Sequence, residues 1–275
     1  MTEEPHKFYK YHGCGNDFII IDRTREASES EISDWLNEQK IREICTWHTG
    51  VGADGLIVLM PSQRFAFRMD YYNADGRLGS LCGNGSRCAV RCAHDLGIKP
   101  DADGLFRFEA HDGIHTAQCE GNSIAVSLLD FPVPEKSLHG WFVNNGSPHF
   151  LIHVHDTREV DVEGEGRIWR SHAQFAPGGT NVNFIEVVEQ SCLKIRTFER
   201  GVERETMACG TGVTASAAWY ASIYPEKKES ARDYSICVET LGGELQVFFS
   251  MTNNSISSVQ LIGPAVFVFE GFFIP

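Results

Sequence analysis

Two tetrapeptides, CGNG at 82–85 and CGTG at 209–212, each set a cysteine directly before a Gly-x-Gly turn that opens a helical stretch. They lie 209 − 82 = 127 residues apart, close to half of the 275-residue chain. A fold that keeps both must offer two matching helix starts, so a doubled α/β plan is the strongest constraint on this chain. The surroundings repeat as well: a glycine-rich turn, strands, Cys-Gly-x-Gly, a helix, then a β-hairpin. The spacing predicts two related lobes facing each other, with their equivalent cysteines meeting at a cleft.

The hydrophobic pattern fills in the elements. DFIIID (17–22) reads as a buried strand, and LIVLM after the glycine-rich GVGADG (50–55) as a second. Residues 65–72 alternate as a third strand, ended by the turn Asn73-Ala74-Asp75-Gly76. Ile32, Trp35, Leu36, Ile44 and Cys45 recur at helical intervals after Ser28 and Ser30, which predicts a helix near 31–45. A second helix is expected over 83–96, stopped by Gly97 and Pro100, followed by a hairpin about His111-Asp112-Gly113. In the second half, strands are expected at 124–130, 149–155, 182–188 and 193–199, and a helix over 210–223 before Pro225. Two or three closing strands share a turn at Leu241-Gly242-Gly243.

Composition excludes several function classes. The formal net charge of −13 argues against nucleic acid, because counterion release needs clustered Lys and Arg. The longest apolar runs, Phe18–Ile21 and Ala265–Phe269, fall far short of the roughly 18 residues of a membrane span. MTEEPHKFYKYHG at the start has neither the basic nor the apolar segment of a signal peptide, so a soluble cytoplasmic protein is expected. Nine cysteines, an odd number without a signal peptide, do not form a secreted disulfide framework, so the thiols are expected reduced.

Metal and phosphate fit these motifs poorly. Cys82, Cys88 and Cys92 are spaced C-x5-C-x3-C, unlike the closer cysteine pairs of structural zinc, and no metal is expected. Cys88 and Cys92, four residues apart, read as a helix core stripe. Neither motif carries the Lys-Ser/Thr of a phosphate loop or a complete GxGxxG. A helix N-terminus still offers N–H donors and about half a positive charge, enough to hold a carboxylate. The same field lowers the pKa of a cysteine placed there, so Cys82 and Cys209 are the reactive pair.

Two thiols about one carboxylate define a reaction. Inverting the α-carbon of an amino acid needs a base on one face and an acid on the other. A thiolate and a thiol in matched positions can exchange those roles according to the enantiomer bound. Helix N-termini aimed at the carboxylate would stabilise the carbanion electrostatically, with no cofactor to absorb it.

These residues carry a family resemblance. HGCGNDF (12–18), GVGADGL (50–56), YNADG (72–76), CGNGSRC (82–88), SPH (147–149), NVNF (181–184), ERG (199–201) and ACGTG (208–212) occur in this order, and the chain resembles the diaminopimelate epimerases nearly end to end. The resemblance implies two pseudo-symmetric α/β (α+β) lobes, each a β-sheet wrapped on a central helix, with the active site in the cleft between them. It implies an N-terminal lobe of 1–118 that also takes the last strand, 265–275, and a C-terminal lobe of 119–264. Cys82 and Cys209 become the catalytic pair, with His149 and Glu199 setting their pKa values. Asn16, Asn73 and Asn181 are expected to hold the far amino and carboxylate groups of the substrate or their neighbourhood. Gly83, Asn84, Gly210 and Thr211 are expected to hold the reacting carboxylate, and Glu199 and Arg200 to contact the substrate. No cofactor is implied, the partner is a small amino-acid substrate, and a homodimer is typical of the family.

Three departures bear on specificity. Ser147 replaces the family's asparagine in Gly-Asn-Pro-His and loses an amide that donates and accepts. The run between Arg200 and Cys209 is one residue longer, with Arg204 extra, and Cys14 stands where an aliphatic residue is common. Rival functions are an amino-acid racemase of the same fold, acting for example on glutamate, a non-catalytic amino-acid-binding protein, and a redox sensor joining Cys82 to Cys209.

Overall fold

Cys14 and Gly15 turn the chain back on itself with φ of 53° and 77°, both positive as in a two-residue type I′ hairpin turn. They join β1 (His6–Gly13) to β2 (Asn16–Asp22) in antiparallel register, Gly13 opposite Asn16. The structure, a computed structural model, describes residues 5–25, 35–79, 82–224 and 231–273. The chain forms two compact units, Met1–Val126 with Pro264–Pro275, and Ser127–Gly263. The division falls between Val126 and Ser127, and Ile124 and Val126 lie in the first unit's core.

In the first unit β2 runs parallel to β3 (Gly55–Met60), and the crossover carries α1 (Glu38–Cys45). Asn37 caps α1 by accepting from Lys40 N, so among the described residues the helix begins later than the predicted 31; positions 26–34 lie outside them. β4 (Phe67–Asn73) is antiparallel to β3, and a second crossover, α2 (Gly83–Asp95), leads to β5 (Phe106–Ala110), parallel to β4. β6 (Gly113–Glu120) and β7 (Ser123–Ser127) complete the meander, and β18 (Val266–Phe273) returns to pair with β1. Ala110 pairs with Gly113, so the hairpin turn is His111-Asp112 alone.

The unbroken apolar runs of β2 and β3 have a simple cause: both faces are covered. Phe18, Ile20, Ile57 and Leu59 pack around α2, while Ile19, Ile21, Leu56, Val58 and Met60 pack on α1. α2 is buried along most of its length and serves as the unit's centre.

The second unit repeats the order. β9 (Glu135–Ser137), β10 (Gly140–Asn144) and β11 (Pro148–His153) are antiparallel, and β8 (Phe131–Pro132) pairs with β17 (Ser255–Pro264). A crossover bearing α3 (Val162–Arg170) makes β12 (Asn181–Glu189) parallel to β11. β13 (Cys192–Glu199) and β14 (Arg204–Thr206) form the next hairpin. α4 (Gly210–Ile223) then crosses to β15 (Ala231–Thr240), which is parallel to β13, and β16 (Gly243–Thr252) and β17 (Ser255–Pro264) close the meander. Each unit is thus antiparallel pair, helical crossover, antiparallel pair, helical crossover, meander. α4 is built of small residues and is buried almost throughout, as a helix encircled by strands must be.

Candidate active site

Cys82 is the N-cap of α2, with extended backbone (φ −103°, ψ 112°) and its sulfur accepting from Gly85 N at 3.4 Å. The first-turn N–H groups of Gly83 and Asn84 open at this helix start, where the macrodipole favours an anion. Beside the sulfur stands Asn16, whose Oδ1 lies 3.9 Å from Cys82 Sγ and 3.3 Å from Asn84 Nδ2. Charged side chains at both ends fix these two carboxamides. Asp54 can only accept, so Asn16 turns its Nδ2 there at 2.5 Å. Arg87 can only donate, so Asn84 turns its Oδ1 to Arg87 Nη2 at 3.0 Å. One direction of hydrogen bonding therefore runs Arg87, Asn84, Asn16, Asp54.

Arg87 is fully buried, and its Nε donates to Pro264 O at 3.4 Å. Burial pulls its pKa below the usual arginine value. Behind Asp54, Asp17 pairs with buried Lys10 at 2.7 Å, and Lys10 also donates to Gly52 O. Asn73 ends β4 at an exposed turn, accepting from the Tyr71 hydroxyl at 3.1 Å. Residues 80 and 81 lie outside the described structure.

Cys209 is the matching N-cap of α4 (φ −113°, ψ 108°). Its sulfur lies 3.5 Å from Thr211 Oγ1, which is 3.0 Å from His149 Nε2. His149 is wholly buried, and burial, helped by the Arg200 charge, lowers its pKa to about 3. Asn183 sits beneath: its Nδ2 is 3.1 Å from His149 Nδ1 and donates to Phe150 O at 3.2 Å, while its Oδ1 accepts from Thr197 at 3.0 Å. The two helix starts differ here. Gly85 stands over Ile57 and Phe18, whereas Gly212 stands over the Asn183 carboxamide, so closely that a Cβ would collide with its oxygen.

The remaining expected residues gather about β11 to β14. Asn181 is buried and its amide is engaged within the unit: Nδ2 donates to Ser147 Oγ and Pro148 O, both at 2.9 Å, and Oδ1 accepts from Arg200 N at 2.9 Å. It thereby holds Ser147 and Arg200 in place. Glu199 accepts from Thr206 Oγ1 at 2.9 Å. The longer run after Arg200 is taken up in a turn where Gly201 and Glu203 adopt φ of 93° and 60°, and Arg204 pairs opposite Glu199 in β14.

The other thiols are of a different kind. Burial pushes Cys88 and Cys92 upward and Cys45 up to about 12. Among the described residues no cluster of His, Cys, Asp and Glu fits a metal ion. Asp54, Arg87, Asn183 and Thr197 were not singled out in the sequence. Asp54, Arg87 and Asn183 lie inside recognised motifs, and Asn183 shares its strand face with Asn181.

Similarity to known proteins supplies the chemistry. The family model described as Diaminopimelate epimerase matches residues 8–128 and 141–268. The chain is 39% identical to the diaminopimelate epimerase of Aquifex aeolicus, covering 96% of both chains. It is 40% identical to that of Chlorobaculum tepidum, covering 94% of this chain and 98% of the relative. Among solved structures, a PhzF-family phenazine biosynthesis protein of Bacillus anthracis is similar in fold, with a TM-score of 0.75 at 15% identity over 99% of this chain and 100% of that one. A hydroxyproline epimerase of Agrobacterium vitis has a TM-score of 0.68 at 13% identity, covering 99% and 92%.

Proposed function

The chain belongs to the diaminopimelate epimerase family, and from that footing we propose that it interconverts LL- and meso-2,6-diaminopimelate by proton transfer at Cα, in lysine and peptidoglycan precursor synthesis. The observation that carries the reading is that Cys82 and Cys209 each cap the N-terminus of a buried central helix. The deprotonated sulfur takes the Cα proton, and the C–H electron pair passes into the adjacent carboxylate. The other thiol returns a proton to the opposite face, and the product leaves with inverted configuration. The roles of the two sulfurs are then exchanged.

First-turn N–H groups of Gly83, Asn84, Gly210 and Thr211 hold that carboxylate and carry the developing charge, which is the chief electrostatic contribution. Asn16, Asn73, Glu199 and Arg200 recognise the rest of the substrate, with Asn181 orienting Ser147 and Arg200. His149 and Glu199 govern the thiols. No cofactor takes part. The working form is a cytoplasmic homodimer, for which β18 offers an apolar surface: Val266, Phe267, Val268, Phe269 and Phe272 are all exposed in this chain.

Ser147 favours one second reading. Its hydroxyl, held by Asn181, is shorter than the family's carboxamide, so the pocket for the distal group is altered and glutamate is a candidate substrate. Proton NMR of LL-diaminopimelate in D2O, with reduced protein and no additive, tests both readings beside a sample with L-glutamate. Deuterium at Cα with meso product, lost in Cys82→Ser and Cys209→Ser, is the expected result. Exchange on glutamate alone would replace the first reading by the second, and binding without exchange would overturn both.

A further inference from the structure

Around Cys209 the hydrogen bonds have a direction that the geometry determines. Phe150 O can only accept, so the Asn183 amide must present Nδ2 to it, at 3.2 Å. The second N–H of the same amide then meets His149 Nδ1 at 3.1 Å, while Thr197 donates to Asn183 Oδ1 at 3.0 Å. An Asn183 oxygen turned toward the ring would favour the imidazolium, but it would also press against Phe150 O. A ring nitrogen that accepts carries no proton, so the proton of the neutral ring is on Nε2. From there it points at Thr211 Oγ1, 3.0 Å away. A hydroxyl that accepts from His149 still has its own hydrogen to give, and the sulfur of Cys209 is 3.5 Å away.

We propose that the Thr211 hydroxyl is a committed hydrogen-bond donor to the Cys209 sulfur, and that Asn183 and His149 are positioning residues that set this direction. In this arrangement His149 is not the base that deprotonates the thiol. Its Nδ1 is covered by an amide hydrogen and its Nε2 is already protonated. The donor stabilises the thiolate more than the thiol, because a charged acceptor forms the stronger bond. The charged group that acts on His149 of β11 is Arg200, the residue after β13. Arg200 adds to the penalty against a second proton on His149.

The repeat supplies an independent argument. Where the first unit has Ile57 beneath its helix glycine, the second has the polar Asn183 beneath Gly212. Burying a carboxamide in the centre of a sheet costs about 1–3 kcal/mol unless every group is bonded, and here both N–H groups and the oxygen are. The two tetrapeptides differ only at their third residue: Asn84 reaches Asn16, whereas Thr211 reaches His149 and Cys209.

The relevance of this proposal to catalysis rests on the epimerase reading, but its test does not. The full reduced chain is alkylated with iodoacetamide across pH, and Cys209 and Cys82 are followed separately by peptide mass spectrometry without substrate. Thr211→Val is expected to raise the Cys209 midpoint by about one pH unit, roughly a tenfold loss of thiolate at fixed pH, while Thr211→Ser restores it and Cys82 stays put. On the unsubstituted protein, 15N NMR is expected to show the Nε2–H tautomer of His149 from pH 7 down to about pH 4, as the depressed pKa requires. An unmoved Cys209 midpoint in Thr211→Val, or an Nδ1–H or doubly protonated ring at neutral pH, overturns the proposal. Absence of Cα exchange on diaminopimelate would instead overturn the epimerase reading and leave these midpoints as they are.

Discussion

Gly212 lies directly over the Asn183 carboxamide, with no room for a side chain between the first turn of α4 and the oxygen that Thr197 holds. At Gly85 in the first unit an added Cβ would meet Ile57 at 3.3 Å and Phe18 at 3.4 Å, which is tight but yielding. The same substitution at equivalent places therefore has different costs. Gly85→Ala gains about 0.5–1 kcal/mol of helix preference against mild crowding and comes out near neutral. Gly212→Ala forces the amide aside and costs about 1–3 kcal/mol. Paired urea unfolding curves check the contrast, and equal stability losses would contradict it.

Asp54 anchors Asn16 without being close enough in sequence to look like its partner. Replacing it by Asn gives the anchor donors as well as acceptors, and the Asn16 amide is then free to turn over beside Cys82. Epimerisation should slow by roughly 10–100-fold in kcat/KM, since the released Asn16 amide both neighbours the Cys82 sulfur and is proposed to contact the substrate. The circular dichroism spectrum should stay the same. A rate equal to the unsubstituted enzyme's would show that Asn16 needs no anchor.

His149 makes stability depend on pH. The folded protein refuses a proton until about pH 3, whereas the unfolded chain takes it up near 6.5. The neutral ring's contribution is therefore whole above pH 6.5 and declines as pH falls toward 3, by at most about 1.4 kcal/mol per unit. His149→Asn removes this titration, so its unfolding free energy should fall less steeply between pH 6.5 and 4 than that of the parent. Parallel slopes would show that the ring is solvated or already charged.

The exposed apolar residues of β18 are expected to be covered by a second copy. Sedimentation velocity should find the parent chain as the proposed dimer and Val268→Asp as monomer, with the far-ultraviolet spectrum preserved. A dimer that persists would place the contact elsewhere.

The sequence announced what depends on local chemistry. α4 spans 210–223 as expected, because Cys-Gly-x-Gly marks the start and a run of small residues leaves little else to form. β2 and β3 were visible because both faces are buried. α3 was not, since Gly164 and Gly166 lower its helix propensity; yet Gly166 is required, because a Cβ there would strike Phe198. The reactive cysteines were legible for the same local reason. Their supports were not, because the partners meet only in the fold: Asn16 finds Asp54 across the β2–β3 pairing, and Asn183 finds Thr197 on the opposite strand. Asn181 illustrates the converse. Its motif marks it as a site residue, and the structure shows its amide holding Ser147 and Arg200.

Both sulfurs belong to helices that strands surround on nearly every side. Their coordinates are therefore inherited from the interior and not from a loop that can drift. The tetrapeptides are for that reason not portable: grafted onto a surface helix of another scaffold, either would keep a solvent-screened pull from its helix N-terminus but lose the partners that place its sulfur. A redesign that seeks a new substrate should leave both helices untouched and vary residues off them, such as Ser147 and Asn73.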